Sequence, residues 1–394
     1  MLESILTRIE FQMSLLLFVA LAGYLLASRI NQSAVIGEIL VGILIGPSLL
    51  GLITYTDFIA SIAHLGAIIL LFVVGLEFKL KDIFNLKYGV IAAFGVIIPW
   101  VSGFFLARAF GYEFGAAIFT GTALTATSIA ITANVLREMG ILQSSAAKAI
   151  IGAAVIDDVL SLLALSVSTQ LVSGSVSLTV IGIVVLKAAL FLVIGAYIGN
   201  KYLTRMLERI DRSKFAQKFP ESVFIFAMMI AFIYALFAEL IALSAIVGAF
   251  LAGVALEGVI IRNGRNYKEG AEYLHIIFAS IFFVSLGIIA DLRAVSPTVI
   301  WFLIALTIVA VLSKVIGCAI PAKLQGMSNK ESLMVGFGMA PRGEVAMIVA
   351  LIGLNAGLIK QDLYVTLVLM SLLTTIITPM VLRNAKFFGH KKKI

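Results

Sequence analysis

Charge is scarce in this chain. Of 394 residues, 61% are hydrophobic and 13% charged, against roughly 25% charged in an ordinary soluble domain. Too few polar residues remain to cover a water-soluble globule. Cysteine is nearly missing as well: Cys318 stands alone in an apolar run, which excludes an intrachain disulfide and says little about compartment. The alternating pattern of a membrane β-barrel, with strands of about 10 residues, is not found. The apolar runs are continuous and about 20 residues long, the length of a helix that crosses a bilayer. Nor is a removable leader expected. Ala20-Leu21-Ala22 mimics a small-residue cleavage site but falls inside the first apolar run, and Glu3 and Glu10 dilute the basic start a leader needs. What the chain does carry is 33 glycines against 7 prolines, which suits helices that pack closely in lipid and are in places interrupted.

A membrane-length window predicts about thirteen spans, near 11–29, 33–51, 61–78, 87–110, 114–137, 145–171, 177–200, 220–238, 241–257, 272–290, 297–321, 330–354 and 362–384. Connections are short except for the basic segment from Lys201 to Glu221, which separates two halves. The net charge of +8 reflects position rather than affinity for nucleic acid. Basic residues fall on alternate connections: Arg29, Lys79 to Lys87, Arg137 and Lys148, Lys201 to Lys218, Arg262 to Lys268, Lys323 and Lys330, and the tail from Arg383. The opposite side has only Arg8, Arg108, Arg293 and Lys360. The positive-inside rule then predicts a multi-pass protein of the cell membrane, N-terminus outside and C-terminus in the cytoplasm. Lys391-Lys392-Lys393 reads as a solvated tail near anionic lipid.

The halves resemble each other. A shift of 211 positions lays Ser33 on Ser244, Gly37 on Gly248, Gly42 on Gly253, His64 on His275 and Phe72-Val73 on Phe283-Val284. A slightly larger shift lays Gly140-Ile141 on Gly357-Leu358. Equivalent spans are an odd number apart, so the repeats are expected to be inverted, a transporter signature.

Charges inside spans mark the candidate site. Asp157 and Asp158 sit side by side near the middle of the stretch from Ala146 to Val172. Each ionised acid at that depth costs roughly 2.5–3.5 kcal/mol even on a lenient scale, and the two repel each other. Lys314 lies in the eleventh span, Arg342 and Glu344 in the twelfth, Lys187 in the seventh. In the twelfth, Pro341 and Gly343 are expected to open the backbone at mid-membrane. Its counterpart is the fifth span, Thr120-Gly-Thr-Ala-Leu-Thr-Ala-Thr-Ser128. Broken half-helices meeting there would offer carbonyls and helix ends to a dehydrated cation. Arg342 and Glu344 would neutralise the facing half-helix ends. The competing reading of the hydroxyl run is back-bonding to i−4 carbonyls in an intact helix. Lys187 reads as snorkelling or structural, and Glu38 as a packing or polar contact. His64 and His275 read as interfacial residues ahead of pH sensors. Gly42-x-x-x-Gly46 fits a dimer seam or close packing within the monomer.

The stretch Ile36-Gly-Glu-Ile-Leu-Val-Gly-Ile-Leu-Ile-Gly-Pro47, the run Leu124-Thr-Ala-Thr-Ser128, the Asp157-Asp158 pair and Ala340-Pro-Arg-Gly-Glu344 resemble, in that order, the monovalent cation:proton antiporter-2 family, above all its NapA-type sodium/proton exchangers. The resemblance implies an all-α polytopic membrane protein with an NhaA/NapA-like fold of thirteen helices, two of them discontinuous and crossed. It implies a homodimer with dimerisation helices in 1–86 and 220–291. Core ion-translocation helices would lie in 87–172 and 292–394, and a linker helix with a basic cytoplasmic loop in 173–219. Asp158 is the implied ion-binding acid, Asp157 the second acid paired with Lys314 in one state, and Thr127 and Ser128 fall in the crossover.

Elementary chemistry agrees with those roles. Sodium is a hard cation suited to carboxylate and carbonyl oxygen, and a proton competing with it for Asp158 would couple the two fluxes. Adjacent residues lie about 100° apart around a helix, so one acid can face a pore while its neighbour meets Lys314. The expectation is an electrogenic sodium or lithium/proton antiporter with no cofactor and no enzymatic activity, and the resemblance implies elevator-like movement of its core. The alternative is a potassium/proton exchanger of the same family, a type that commonly carries a soluble nucleotide-binding domain after its last span. An intramembrane aspartyl protease needs carboxylates facing each other from different helices, with a Gly-x-Gly-Asp that is missing here. A channel is disfavoured by the inverted repeats and paired acids.

Overall fold

The computed structural model describes residues 8–30, 32–80, 85–174, 178–259, 267–289, 293 and 299–383. The side chain of Glu344, the tail after Arg383 with Lys391 to Lys393, and Lys81, Arg262 and Arg265 lie outside them. Every regular element among the described residues is helical. The first half runs α1 (Ile9–Arg29), α2 (Ala34–Ile45), α3 (Asp57–Gly75), α4 (Leu86–Ala109), α5 (Phe114–Ala123), α6 (Ile129–Glu138), α7 (Ser145–Ser173) and α8 (Leu178–Ile198). A π-helical turn (Gly199–Leu203), α9 (Thr204–Asp211) and α10 (Lys214–Lys218) follow. The second half has α11 (Ser222–Leu240), α12 (Ala245–Leu256), α13 (Tyr267–Ile289), α14 (Ile300–Leu324), α15 (Asn329–Gly338), α16 (Glu344–Asn355) and α17 (Gln361–Leu382).

Nine helical stretches among the described residues are long and apolar enough to cross a membrane, and shorter apolar helices lie at Ala34–Ile45, Phe114–Ala123, Ala245–Leu256 and Val345–Asn355. The chain is thus a multi-pass membrane protein. Two expectations need correction. The second apolar run was expected to continue to residue 51, but α2 stops at Ile45. Gly46 is already extended (ψ −176°), because the ring of Pro47 disfavours helical backbone in the residue before it. The basic segment after Lys201 was expected as a loop and is largely helical. On α9 only Leu207 and Asp211 are buried, and that one-sided pattern forms a surface helix despite the charge.

The chain divides into two compact units. One comprises the described residues of Met1–Ala60, Leu86–Ser177 and Phe283–Ile394, the other those of Ser61–Asn85 and Leu178–Phe282. The first is cored by Phe119, Leu124, Phe302, Leu306 and Met370, the second by Phe72, Leu207, Ala231, Leu251 and Tyr267.

The sequence repeat is visible in local geometry. Helices α2 and α12 start 211 residues apart, each preceded by an extended serine, Ser33 or Ser244. Helices α6 and α16 both end before a left-handed glycine, Gly140 at φ +67° and Gly357 at φ +69°. The residue after each glycine returns its N–H to the helix, Ile141 to Leu136 O at 3.0 Å and Leu358 to Gly353 O at 2.9 Å. Inside the first unit a Cβ on Gly42 would meet Val284 O at 2.1 Å, and inside the second a Cβ on Gly253 would meet Phe72 O at 2.2 Å. Gly42 therefore serves a helix crossing within the chain.

Candidate functional site

The candidate site lies in the first unit, where two helices lose their regular backbone. The fifth apolar run is α5 and α6 with Leu124 to Ser128 between them, and the twelfth is α15 and α16 with Met339 to Gly343 between them. Both readings of the Thr/Ser run hold, at different positions. Upstream, Thr120 Oγ1 donates to Ala116 O and Thr122 Oγ1 to Ile118 O, each at 2.8 Å, the back-bonding of an intact helix. Thr125 Oγ1 still donates locally, to Thr122 O at 2.7 Å, but the groups after it turn to the other break. Ser128 N donates to Pro341 O at 2.9 Å. Thr127 Oγ1 donates to Met339 O at 3.1 Å and Thr132 Oγ1 to Gly338 O at 2.6 Å. Backbone groups freed by each interruption are thereby partly satisfied by the other, as apolar surroundings require. Closeness also dictates glycine at 343, where a Cβ would lie 2.7 Å from Ser128 Oγ.

Arg342 spans this junction. Its Nη1 donates to Ala126 O at 2.8 Å and its Nη2 to Ala310 O at 3.2 Å. Its own backbone is held by α17: Arg342 N donates to Thr374 Oγ1 at 3.1 Å, and Thr375 Oγ1 donates to Arg342 O at 2.7 Å. The guanidinium therefore bridges one carbonyl of the facing break, Ala126 O, and one of α14, Ala310 O, and at the break the partial negative charge of a helix-end C=O favours a cation.

Asp157 and Lys314 form a fully buried ion pair at 2.8 Å. Lys314 Nζ also donates to Thr125 O at 2.6 Å, which ties α14 to the first break. Asp158 is the next residue of α7 and keeps 8% exposure against 0% for Asp157. Adjacent acids thus have separate surroundings, as the 100° step of a helix demands. Asp157 Oδ2 and Ser128 Oγ are buried and meet no hydrogen-bond partner among the described residues, oxygens of the type that a hard cation takes.

Asp157, Lys314, Thr127, Ser128 and Arg342 are brought together by these contacts, with Asp158 beside them. Glu344 opens α16, but its side chain is outside the described residues. Other residues read from the sequence are not part of the junction. Lys187 is exposed, Glu38 is buried in α2, and His64 Nε2 lies 3.2 Å from Glu239 Oε1. Two groups escaped sequence reasoning. The Thr125 carbonyl carries no sequence mark. The α17 hydroxyls at Ser371, Thr374 and Thr375 were legible only as a polar cluster in the last apolar run.

The transmembrane sodium/hydrogen exchanger profile matches residues 15–384. The chain belongs to the sodium/hydrogen exchanger family. It is 34% identical over 391 residues to a Bacillus cereus protein named Na(+)/H(+)-K(+) antiporter GerN, covering 97% of each. It is 33% identical over 379 residues to a Na(+)/H(+) antiporter of Enterococcus hirae, covering 96% of this chain and 97% of that one. In fold it is similar to the sodium proton antiporter MjNhaP1 of Methanocaldococcus jannaschii, with a TM-score of 0.73, 15% identity, and coverage of 98% of this chain and 100% of the other. The exchanger family is the one its motifs resemble.

Proposed function

We propose that this chain is a secondary active antiporter that exchanges sodium or lithium for protons across the cell membrane, with the two ions competing for Asp158. The observation that carries this reading is the meeting of the two helix breaks beside the buried Asp157–Lys314 pair. A cation arriving at ionised Asp158 replaces its proton, with Thr127, Ser128 and break carbonyls as further oxygen ligands. Arg342 and Glu344 compensate the half-helix ends. The added charge weakens the neighbouring pair, so a second proton leaves Lys314 or Asp157. Two protons then move against one sodium, and transport is electrogenic.

In this reading α5 with α6, and α15 with α16, each count as one crossed, discontinuous span, which makes thirteen. The repeats are inverted and give one fold two packings, open to opposite sides. Core helices within 87–172 and 292–394 move like an elevator against dimerisation helices within 1–86 and 220–291, joined through 173–219, in a homodimer. The N-terminus is outside and the C-terminus cytoplasmic. Ion gradients supply the energy, so no cofactor and no enzymatic step enter. A second reading, potassium in place of sodium, draws on the K(+) that stands beside Na(+) in the name of the Bacillus cereus relative.

Proteoliposomes with a trapped pH dye test both. Wild type should move protons on addition of Na⁺ or Li⁺, and Asp158→Asn should not. A wild-type rate in Asp158→Asn would falsify the site assignment, and a response to K⁺ alone would select the second reading.

A further inference from the structure

Beyond the C-terminal end of α8 the backbone widens for one turn. Gly199–Leu203 is π-helical, a form that is rare and frequent at functional sites. One side of this turn is fixed within the second unit. Tyr234 Oη donates to Gly195 O at 2.8 Å, and Thr204 Oγ1 donates to Ala255 O at 2.9 Å. Its other side is an open groove of about 780 Å³. Leu80, Val193 and Ala196 supply the apolar part of its lining, and Tyr197, Asn200, Lys201 and Arg205 the polar part. Lys201 Nζ donates to Tyr197 Oη at 2.6 Å and lies 4.9 Å over that ring and 5.8 Å from the ring of Tyr202. Both tyrosines are more than half exposed, as at the headgroup level of a bilayer. Arg205 is exposed.

We propose that this groove binds one anionic phospholipid of the cytoplasmic leaflet, its headgroup on Lys201 and Arg205 and an acyl chain along Leu80, Val193 and Ala196. Charge complementarity selects the occupant. Among the described residues the charged side chains lining the groove are cations, and anionic lipid is concentrated on the cytoplasmic face. The apolar part continues along α8, which leaves Leu186, Leu190, Val193 and Ile194 exposed, so one ligand with a charged head and a long apolar tail satisfies both ends. A soluble anion would leave the apolar part uncovered. The leaflet assignment rests on the orientation proposed above; the binding itself does not require transport.

Native mass spectrometry of the purified, delipidated full-length protein, titrated with phosphatidylglycerol or phosphatidylcholine, provides the test. Wild type should hold phosphatidylglycerol in preference to phosphatidylcholine. K201Q/R205Q should bind phosphatidylglycerol about thirtyfold more weakly, the effect of removing two surface cations. V193W fills the groove without altering charge and should also lose the lipid. K214Q/K218Q carries the same charge change outside the groove and should bind as wild type does. Equal loss in that control, or unchanged binding in both groove variants, overturns the proposal. Displacement of the lipid by inorganic phosphate alone does so too. So does a dimer that dissociates in V193W with its lipid content unchanged, which assigns the groove to a second copy. None of these readouts depends on ion exchange, so the proposal and the transport reading fail separately.

Discussion

At the scale of single residues, the Asp157–Lys314 pair decides how much the site can be altered. Both side chains are fully buried, and Lys314 also holds the Thr125 carbonyl. Breaking such a pair strands a charge in an apolar interior, at a cost of about 3–5 kcal/mol, whereas replacing both partners with apolar groups is often neutral. Lys314→Met should therefore melt well below wild type in detergent, and Asp157→Leu/Lys314→Met should recover most of that loss while remaining inactive. A double variant no more stable than the single one would show that the pair does not carry the difference. These two residues were legible in the sequence because a charge in an apolar run is expensive enough to need a reason. The hydroxyls of α17 were not. Thr374 and Thr375 hold the backbone of Arg342, yet threonine costs little in a membrane helix and gives no comparable signal.

At the scale of elements, the interruptions are the feature that position the rest. The second was legible from Pro341 and Gly343, and the first from its hydroxyls and Gly121 but decisively from its repeat relation to the second, since Leu124 to Ser128 contains neither proline nor glycine. Their mutual hydrogen bonds could not be read, because they join main-chain groups whose partners depend on tertiary contact. The end of α2 was misjudged because hydropathy continues past Pro47 while backbone geometry does not. The breaks pack without room to spare. A Cβ at residue 343 would meet Ser128 Oγ at 2.7 Å and Ser128 Cβ at 2.8 Å, closer than ordinary contact, and overpacking of this kind costs about 1–3 kcal/mol. Gly343→Ala should therefore lower the exchange rate and the melting temperature together. Ser128→Gly/Gly343→Ala, which removes both colliding atoms, should regain the melting temperature more fully than the rate, since it also removes a proposed ion ligand. Full recovery of both would show that Ser128 has no role beyond packing.

At the scale of the whole molecule, the repeat was readable from a few glycines, serines and histidines, and it reappears as matched caps at Gly140 and Gly357. The residues alone do not group the helices, because apolar runs of similar composition give no sign of which neighbours they choose; the division into dimerisation and core helices came from the resemblance. Function at this scale is a question of charge balance. If two protons cross for each sodium, every cycle moves one net charge, and each 100 mV then contributes about 2.3 kcal/mol. That is about a fiftyfold change in the sodium gradient sustained at equilibrium. Proteoliposomes with equal pH on both sides should accumulate or expel sodium when a potassium diffusion potential is imposed with valinomycin, in the direction set by its sign. The proton flux measured at the same time should exceed the sodium flux. An electroneutral exchanger would ignore the imposed voltage, and that result would confine the Asp157–Lys314 pair to holding α7 and α14 together while Asp158 alone traded one proton for one cation.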